Sequence, residues 1–248
     1  GTPKYEGSID KLVDKGCKEA EIYKNCQING IMVENMHDVP YIQCKYFGPE
    51  VTSSMTKICW EIKRTLPNDL PCGLQILAGG NKEALAVAKL CDYQFIRAEG
   101  FVFSHIGDEG FMDANAGPLL RYRKHLDAEN VLILTDIKKK HSSHAITKDL
   151  NITDMAKAAE FFLSDGLILT GTSTGDPVNI TDLENVKGVS NLPILIGSGV
   201  TVDNIHCYMQ ADALIVGSYF KKHGRWENDI SIDKVLKLME KVSKLREK

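Results

Sequence analysis

The chain has 248 residues, of which 43% are hydrophobic and 25% charged, with a formal net charge of −3. A chain of this size can bury roughly 70–75% of its unfolded surface, so folding needs neither disulfides nor a structural metal, and the charge argues against nucleic acid or an acidic membrane surface as partner. No apolar run approaches the roughly 20 residues of a membrane span. The start, Gly1-Thr2-Pro3-Lys4-Tyr5, carries no basic region followed by an apolar core, so no signal peptide is read there. The seven cysteines are odd in number and include no CxxC pair. They are expected to be thiols in a reducing compartment. That compartment is the cytoplasm, or an organellar matrix if a targeting segment has been removed.

The chain opens on an amphipathic helix from Ser8 to about Tyr23. Short runs rich in Ile, Leu and Val then alternate with longer helical patterns. The strands are predicted at Ile28–Asn35, Cys72–Leu77, Tyr93–Glu99, Val131–Lys138, Gly166–Gly171, Pro193–Gly199 and Ala211–Gly217. The helices between them are predicted at Val51–Leu66, Asn81–Cys91, Ala116–Leu126, Ile152–Leu163 and Val202–Gln210, with a last one from Ile232 to about Arg246. Thr153, Thr181 and Thr201 mark expected helix starts. Continuous apolar runs suit parallel strands buried on both faces. The regular alternation, unbroken by any linker, gives the fold class: α/β, a single (β/α) barrel domain over residues 1–248. Seven strands are one short of the eight that a closed (β/α) barrel of this kind, the TIM barrel, requires. The first strand is therefore expected to precede Gly1. A doubly wound open sheet is the structural alternative.

In a parallel barrel the polar groups at strand C-termini face the active-site mouth. Here those groups are Glu34-Asn35, Arg97 with Glu99, and Asp136 with Lys138. The last two lie two residues apart and hence on one strand face. Charges in apolar strands are costly unless paired or functional. They form either a ligand site or a structural ion-pair ring, such as Arg97 with Glu34 or Asp136. Gly197-Ser198-Gly199 ends one strand, and Gly217-Ser218 ends the next. Glycines let a backbone approach an anion that the following amides can bind, so this pair of loops is the expected phosphate site; tight turns alone would also use such glycines. The loop Thr170-Gly171-Thr172-Ser173-Thr174 could extend it with hydroxyls, or serve as a plain polar connection. His141 follows Asp136 and Lys138 and suits a general acid or base. His141 and His144, with Glu34, lack a third ligand of the usual kind, so no metal is assigned, and no cofactor is specified. His37 and His105 fall on mouth-side loops with uninformative neighbours. His125 and His206 lie in helical patterns and are read as structural. No nucleophile signature occurs.

These segments together resemble the BtpA family of phosphate-binding-type barrels. The resemblance rests on Gly30–Asn35 with Asp38-Val39-Pro40, Phe95-Ile96-Arg97, Leu119–Arg123 and Asp136–His141, then on Thr170–Gly175, Gly197–Thr201 with Asp203-Asn204, and Ala211–Ser218. Family members begin with an apolar strand carrying a histidine and a Pro-Leu-Pro-Gly loop, of which Gly1-Thr2-Pro3 matches only the end. The loop Gly100–Gly110 is individual, with Asp108-Glu109-Gly110 at the place of a family acidic turn. The family takes its name from a role in photosystem I biogenesis in cyanobacteria. Similar proteins occur in organisms without photosynthesis, and some are described as nucleosidases or sugar-metabolism proteins.

The resulting expectation is an enzyme for a small phosphorylated metabolite, of ribosyl or nucleoside type. Asp136, Lys138 and His141 would do the chemistry, with a Lys138 Schiff base as an alternative. Glu34, Asn35, Arg97, Thr170, Gly171 and Thr174 would bind substrate. Gly197, Ser198, Gly199, Gly217 and Ser218 would hold phosphate. The competing expectations are a non-catalytic assembly factor, which would show an exposed apolar patch and an occluded pocket, and a regulatory module that binds a phosphometabolite without turnover. A homo-oligomer is compatible with the fold, although no residue specifies one.

Overall fold

The computed structural model describes residues 2–247. Gly1, read above as part of a loop following a preceding strand, lies outside the described residues. The chain forms two compact units. The first comprises the residues up to Glu99 together with Gly117–Ile133, and the second comprises Gly100–Ala116 with the chain from Leu134 onward.

In the first unit, α1 (Ile9–Asn25) starts where Ser8 Oγ accepts the Lys11 amide, with Asp10 in the first turn. It packs on α2 (Pro49–Thr65), which opens on a proline at its first position. Gly16 permits that contact, because a Cβ there would stand 3.0 Å from Ile62 Cδ1. Strands β1 (Ile31–Glu34), β2 (Cys72–Gln75) and β3 (Phe95–Ala98) pair in parallel and in that order. β2 is buried along its whole length. The helix α3 (Asn81–Leu90) lies between β2 and β3 in sequence and contacts both. Most of α4 (Ala116–His125) also belongs here.

In the second unit, Gly100–Ala116 forms an excursion, of which Gly100–Gly110 is expected from sequence to be a loop. Two antiparallel strands, β4 (His105–Gly107) and β5 (Gly110–Met112), turn through Asp108-Glu109. Gly107 and Gly110 flank the turn, and Gly110 adopts φ +104°. Hydrogen bonds from the Asn115 amide to the Gly100 carbonyl and from the Ala116 amide to the Phe101 carbonyl close the base. β4 also pairs with β7 (Ser142–Ser143), which follows the parallel strand β6 (Leu132–Ile137). β6, β8 (Gly166–Leu169), β9 (Ile194–Ile196) and β10 (Ala213–Leu214) pair in parallel in that order. Leu167, Ile168 and Leu169 are all fully buried, which is why this stretch reads as a continuous apolar run.

The remaining helices are α5 (Ile152–Phe161), α6 (Ile180–Lys187) and α7 (Ile232–Arg246). The cap of α5 is Asn151, not Thr153. Asn151 Oδ1 accepts the Asp154 amide while Asp154 Oδ2 accepts the Asn151 amide, a reciprocal box that leaves Thr153 inside the first turn. Asn179 likewise precedes Thr181 as the cap of α6. The helix expected over Val202–Gln210 is a 3₁₀ segment, Ile205–Tyr208. Thr201 and Asn204 bond each other's backbones there, which delays the helix start.

All seven predicted parallel strands are present, and among the described residues no eighth parallel strand occurs. No helix is long and apolar enough to cross a membrane. The seven cysteines are unpaired.

Candidate active site

In the first unit, Arg97 Nη1 lies 3.4 Å from Glu34 Oε1, with both side chains largely buried. Glu34 is the first of the two partners that sequence offered for Arg97. Asn35 Oδ1 accepts the Leu77 amide at 2.7 Å, and its Nδ2 donates to the Leu77 carbonyl and to Asp38. The amide expected to contact substrate is thus engaged in holding the segment after β2. Glu99 Oε2 accepts the Gly79 amide, and Asn81 brackets Glu99, accepting its N–H and donating to its carbonyl.

The other predicted site residues lie in the second unit. β6 ends at Ile137, and Lys138 sits at φ +46°, so strand alternation does not carry Lys138 onto the face of Asp136. The left-handed turn nevertheless brings both to one small cavity, lined also by Gly100, Phe103, Ser104, His105, Lys139 and His144. Asp136 is buried. The cavity has room for little more than one water-sized group.

His141 does not line that cavity. Its backbone amide donates to the Thr172 carbonyl, and its Nε2 accepts the Thr174 amide at 3.0 Å with Thr174 Oγ1 at 2.8 Å. Partial burial and the Lys140 charge hold its pKa below the usual histidine value. Thr170 Oγ1 accepts the Lys140 amide, so the loops after β6 and β8 are fastened side by side. Asp176 accepts the Ser173 and Thr172 hydroxyls, which lower its pKa. Thr170 and Thr174 therefore organise loops.

The glycine loops divide in a similar way. The Gly197 amide donates to the Leu169 carbonyl within the sheet. Ser198 Oγ accepts the Gly171 amide and donates to the Asp176 carbonyl. Gly199 has φ +69°, and a Cβ there would stand 2.3 Å from the Asp176 and Pro177 backbone. Asn204 Nδ2 donates to the Gly199 carbonyl and fixes the loop from below. Among the described residues, the amides of Ser198, Gly199 and Val200, and those of Gly217, Ser218 and Tyr219, meet no protein acceptor. The two loops follow the paired strands β9 and β10. Around Gly217 the space is open.

His105, which the sequence places on a mouth-side loop without assigning it a role, lines the cavity shared by Asp136 and Lys138. It is 4% exposed, and its Nε2 has no hydrogen-bond partner. Burial, then Lys139 and His144, push its pKa down to about 4 against the smaller upward pull of Asp136 and the Phe103 carbonyl. Its ring lies 5.7 Å from that of His144, whose Nε2 donates to the Lys139 carbonyl. Lys139 pairs with Glu109 of the hairpin turn at 3.6 Å, both side chains being buried. The mirrored run His105-Ile106-Gly107 and Gly110-Phe111-Met112 about Asp-Glu is the signal that could have placed the hairpin. Among the described residues, no group of three or more His, Cys, Asp or Glu side chains is gathered to hold a metal ion.

The sequence pattern of the BtpA family matches residues 1–244. The chain belongs to the BtpA family. It is 44% identical to a mitochondrial protein of Caenorhabditis elegans, across 99% of this chain and 90% of that one. It is 34% identical to the photosystem I biogenesis protein BtpA of Synechocystis over 223 residues, 89% of this chain and 76% of that protein. Among solved structures it is similar to phosphoribosyl anthranilate isomerase from Thermus thermophilus, with a TM-score of 0.58 at 12% identity, covering 93% of this chain and 95% of that one. It is similar also to orotidine 5'-monophosphate decarboxylase from Methanocaldococcus jannaschii, with a TM-score of 0.57 at 16% identity, covering 94% and 93%. These are TIM-barrel proteins, and this member of the BtpA family has that fold.

Proposed function

We propose that this BtpA-family chain is an enzyme acting on a small phosphorylated metabolite of ribosyl or nucleoside type. The observation that carries the reading is the set of amides at Ser198–Val200 and Gly217–Tyr219, which follow adjacent strands and meet no protein acceptor among the described residues. Loop amides without protein partners, at the ends of adjacent parallel strands, are suited to phosphate oxygens. The names of the structural neighbours, a phosphoribosyl isomerase and a 5'-monophosphate decarboxylase, support that substrate class. Asp136 is the proton acceptor in this reading, and Lys138 stabilises negative charge as it develops beside it. His141 keeps the Thr172–Asp176 loop in place through Thr174 and has Nδ1 left for proton transfer. The mitochondrial worm relative makes an organellar matrix a fitting setting.

A panel of sugar phosphates and nucleotides tests this by thermal stabilisation. A ligand at 100 times its Kd should add about 2.7 kcal/mol. A stabilising compound then becomes the substrate for a turnover assay, in which Asp136→Asn with Lys138→Met should abolish activity. Unchanged turnover would overturn the assignment, and binding without turnover in the wild type would leave a regulatory module.

A second reading, an assembly factor, draws on one observation. Phe161, Phe162 and Leu163 at the end of α5 are 81%, 46% and 66% exposed, while the strand-end cavity is small. No stabilisation across the panel, together with loss of a co-purifying partner in Phe161→Ser/Leu163→Ser, would favour it over the enzyme.

A further inference from the structure

We propose that the cavity between the segment entering the β4–β5 hairpin and the end of β6 is a subsite for a sugar-type hydroxyl, with His105 Nε2 as the acceptor of that hydroxyl's hydrogen bond. The inference deepens the phosphometabolite reading and rests on it for the substrate class.

His105 Nε2 is a buried acceptor with nothing to accept. A buried polar atom without a partner costs roughly 1–3 kcal/mol, and native structures rarely leave one without a reason. The neighbouring donors are directed elsewhere. Lys139 faces Glu109, and His144 Nε2 donates to the Lys139 carbonyl. With the neutral ring's proton on Nδ1, on which side the Phe103 carbonyl favours it, Nε2 presents a lone pair. Burial keeps the ring in this neutral form.

The chemistry of the walls selects the ligand group. A carboxylate or phosphate oxygen would meet the Nε2 lone pair and the Asp136 carboxylate. An ammonium would meet Lys138 and Lys139. A hydroxyl avoids both conflicts, because it donates to Nε2 and accepts from Lys138 at the same time. The cavity is also of a size for one such group. The hairpin turn braces one wall of the subsite: Glu109 pairs with Lys139, and Gly107 leaves space for the Glu109 side chain, whose Oε1 would stand 2.7 Å from a Cβ at that position.

The test uses the full chain with three probes, inorganic phosphate, ribose 5-phosphate and ribose. Binding is followed by calorimetry and the His105 ring by its nitrogen resonances. The expected result is a shift of Nε2 on adding ribose 5-phosphate and not on adding phosphate. His105→Asn, which offers no acceptor at the Nε2 position, should weaken ribose 5-phosphate about tenfold and leave inorganic phosphate unchanged. His105→Gln, which places an amide oxygen near that position, should recover part of the loss. Phosphate binding with no His105 response to either ribose probe would overturn the subsite and leave the phosphate reading standing. A His105 response to ribose without phosphate binding would keep the subsite and overturn the phosphate reading. No response to any probe would overturn both, and an ordered water would then be the occupant of the cavity.

Discussion

The two units carry the same kinds of residue at their strand ends and use them differently. In the first, Asn35, Asn81 and Glu99 are bonded to backbone groups of neighbouring loops, and Arg97 meets Glu34. In the second, His105 Nε2 and six loop amides have no protein partner among the described residues. Buried polar groups that are fully bonded make a scaffold rigid, whereas open ones mark where something else binds. The contrast separates holding from binding more sharply than residue type does.

The largest effect should come from a glycine that holds. Gly199→Val would place a Cβ 2.3 Å from the Asp176 and Pro177 backbone, at φ +69°. A destabilisation of roughly 4 kcal/mol or more is expected, measured by urea denaturation. A near-neutral result would show that the Asp176–Pro177 segment can move aside, so that Gly199 is not needed to hold the loop.

The next effect concerns pH. The His105 pKa falls from its ordinary 6.5 to about 4 in the folded chain. Between those values the unfolded chain holds the extra proton, so stability rises with pH across that window. The contribution is complete above about pH 6.5 and is lost as pH falls toward 4, to the extent of about 3 kcal/mol. His105→Gln should flatten that part of the stability curve. An unchanged slope in the variant would assign the acid sensitivity to other groups.

A smaller loss is expected from the scaffold side. Asn81→Leu removes two hydrogen bonds to the Glu99 backbone and should cost about 2 kcal/mol. Ligand stabilisation measured relative to the variant's own Tm should be unaffected. Lost ligand binding in a folded Asn81→Leu protein would break the division between the two units.

The sequence was most legible where physics is local. All seven parallel strands and α7 fall within the expected residues, and in β8 and β9 burial on both faces writes itself directly into an Ile- and Leu-rich composition. The site was legible by address more than by role. Asp136 and Lys138 share a cavity, but through a left-handed turn at Lys138 that alternation does not foresee. Asn35 has the residue type of a ligand contact and the partners of a brace, and only tertiary bonding tells these apart. His105 was obscure for a related reason. The run from His105 to Met112 holds the hairpin locally, but the pairing of Lys139 with Glu109 joins residues that no short window of sequence contains.

The smallest stability effect is also the most selective. A Cβ at Gly217 meets nothing within 4 Å, and the residue is exposed with φ −117°. Gly217→Val should therefore change stability by no more than about 0.5 kcal/mol. A phosphate group seated on the Gly217–Tyr219 amides would nevertheless approach this backbone closely, and a valine side chain would stand in its way. The expected outcome is a protein with wild-type Tm whose stabilisation by phosphorylated ligands is abolished. Retained stabilisation in that variant would move the phosphate away from the loop after β10, and Ser198–Val200 would be left as the only amide group of the pair still able to receive it.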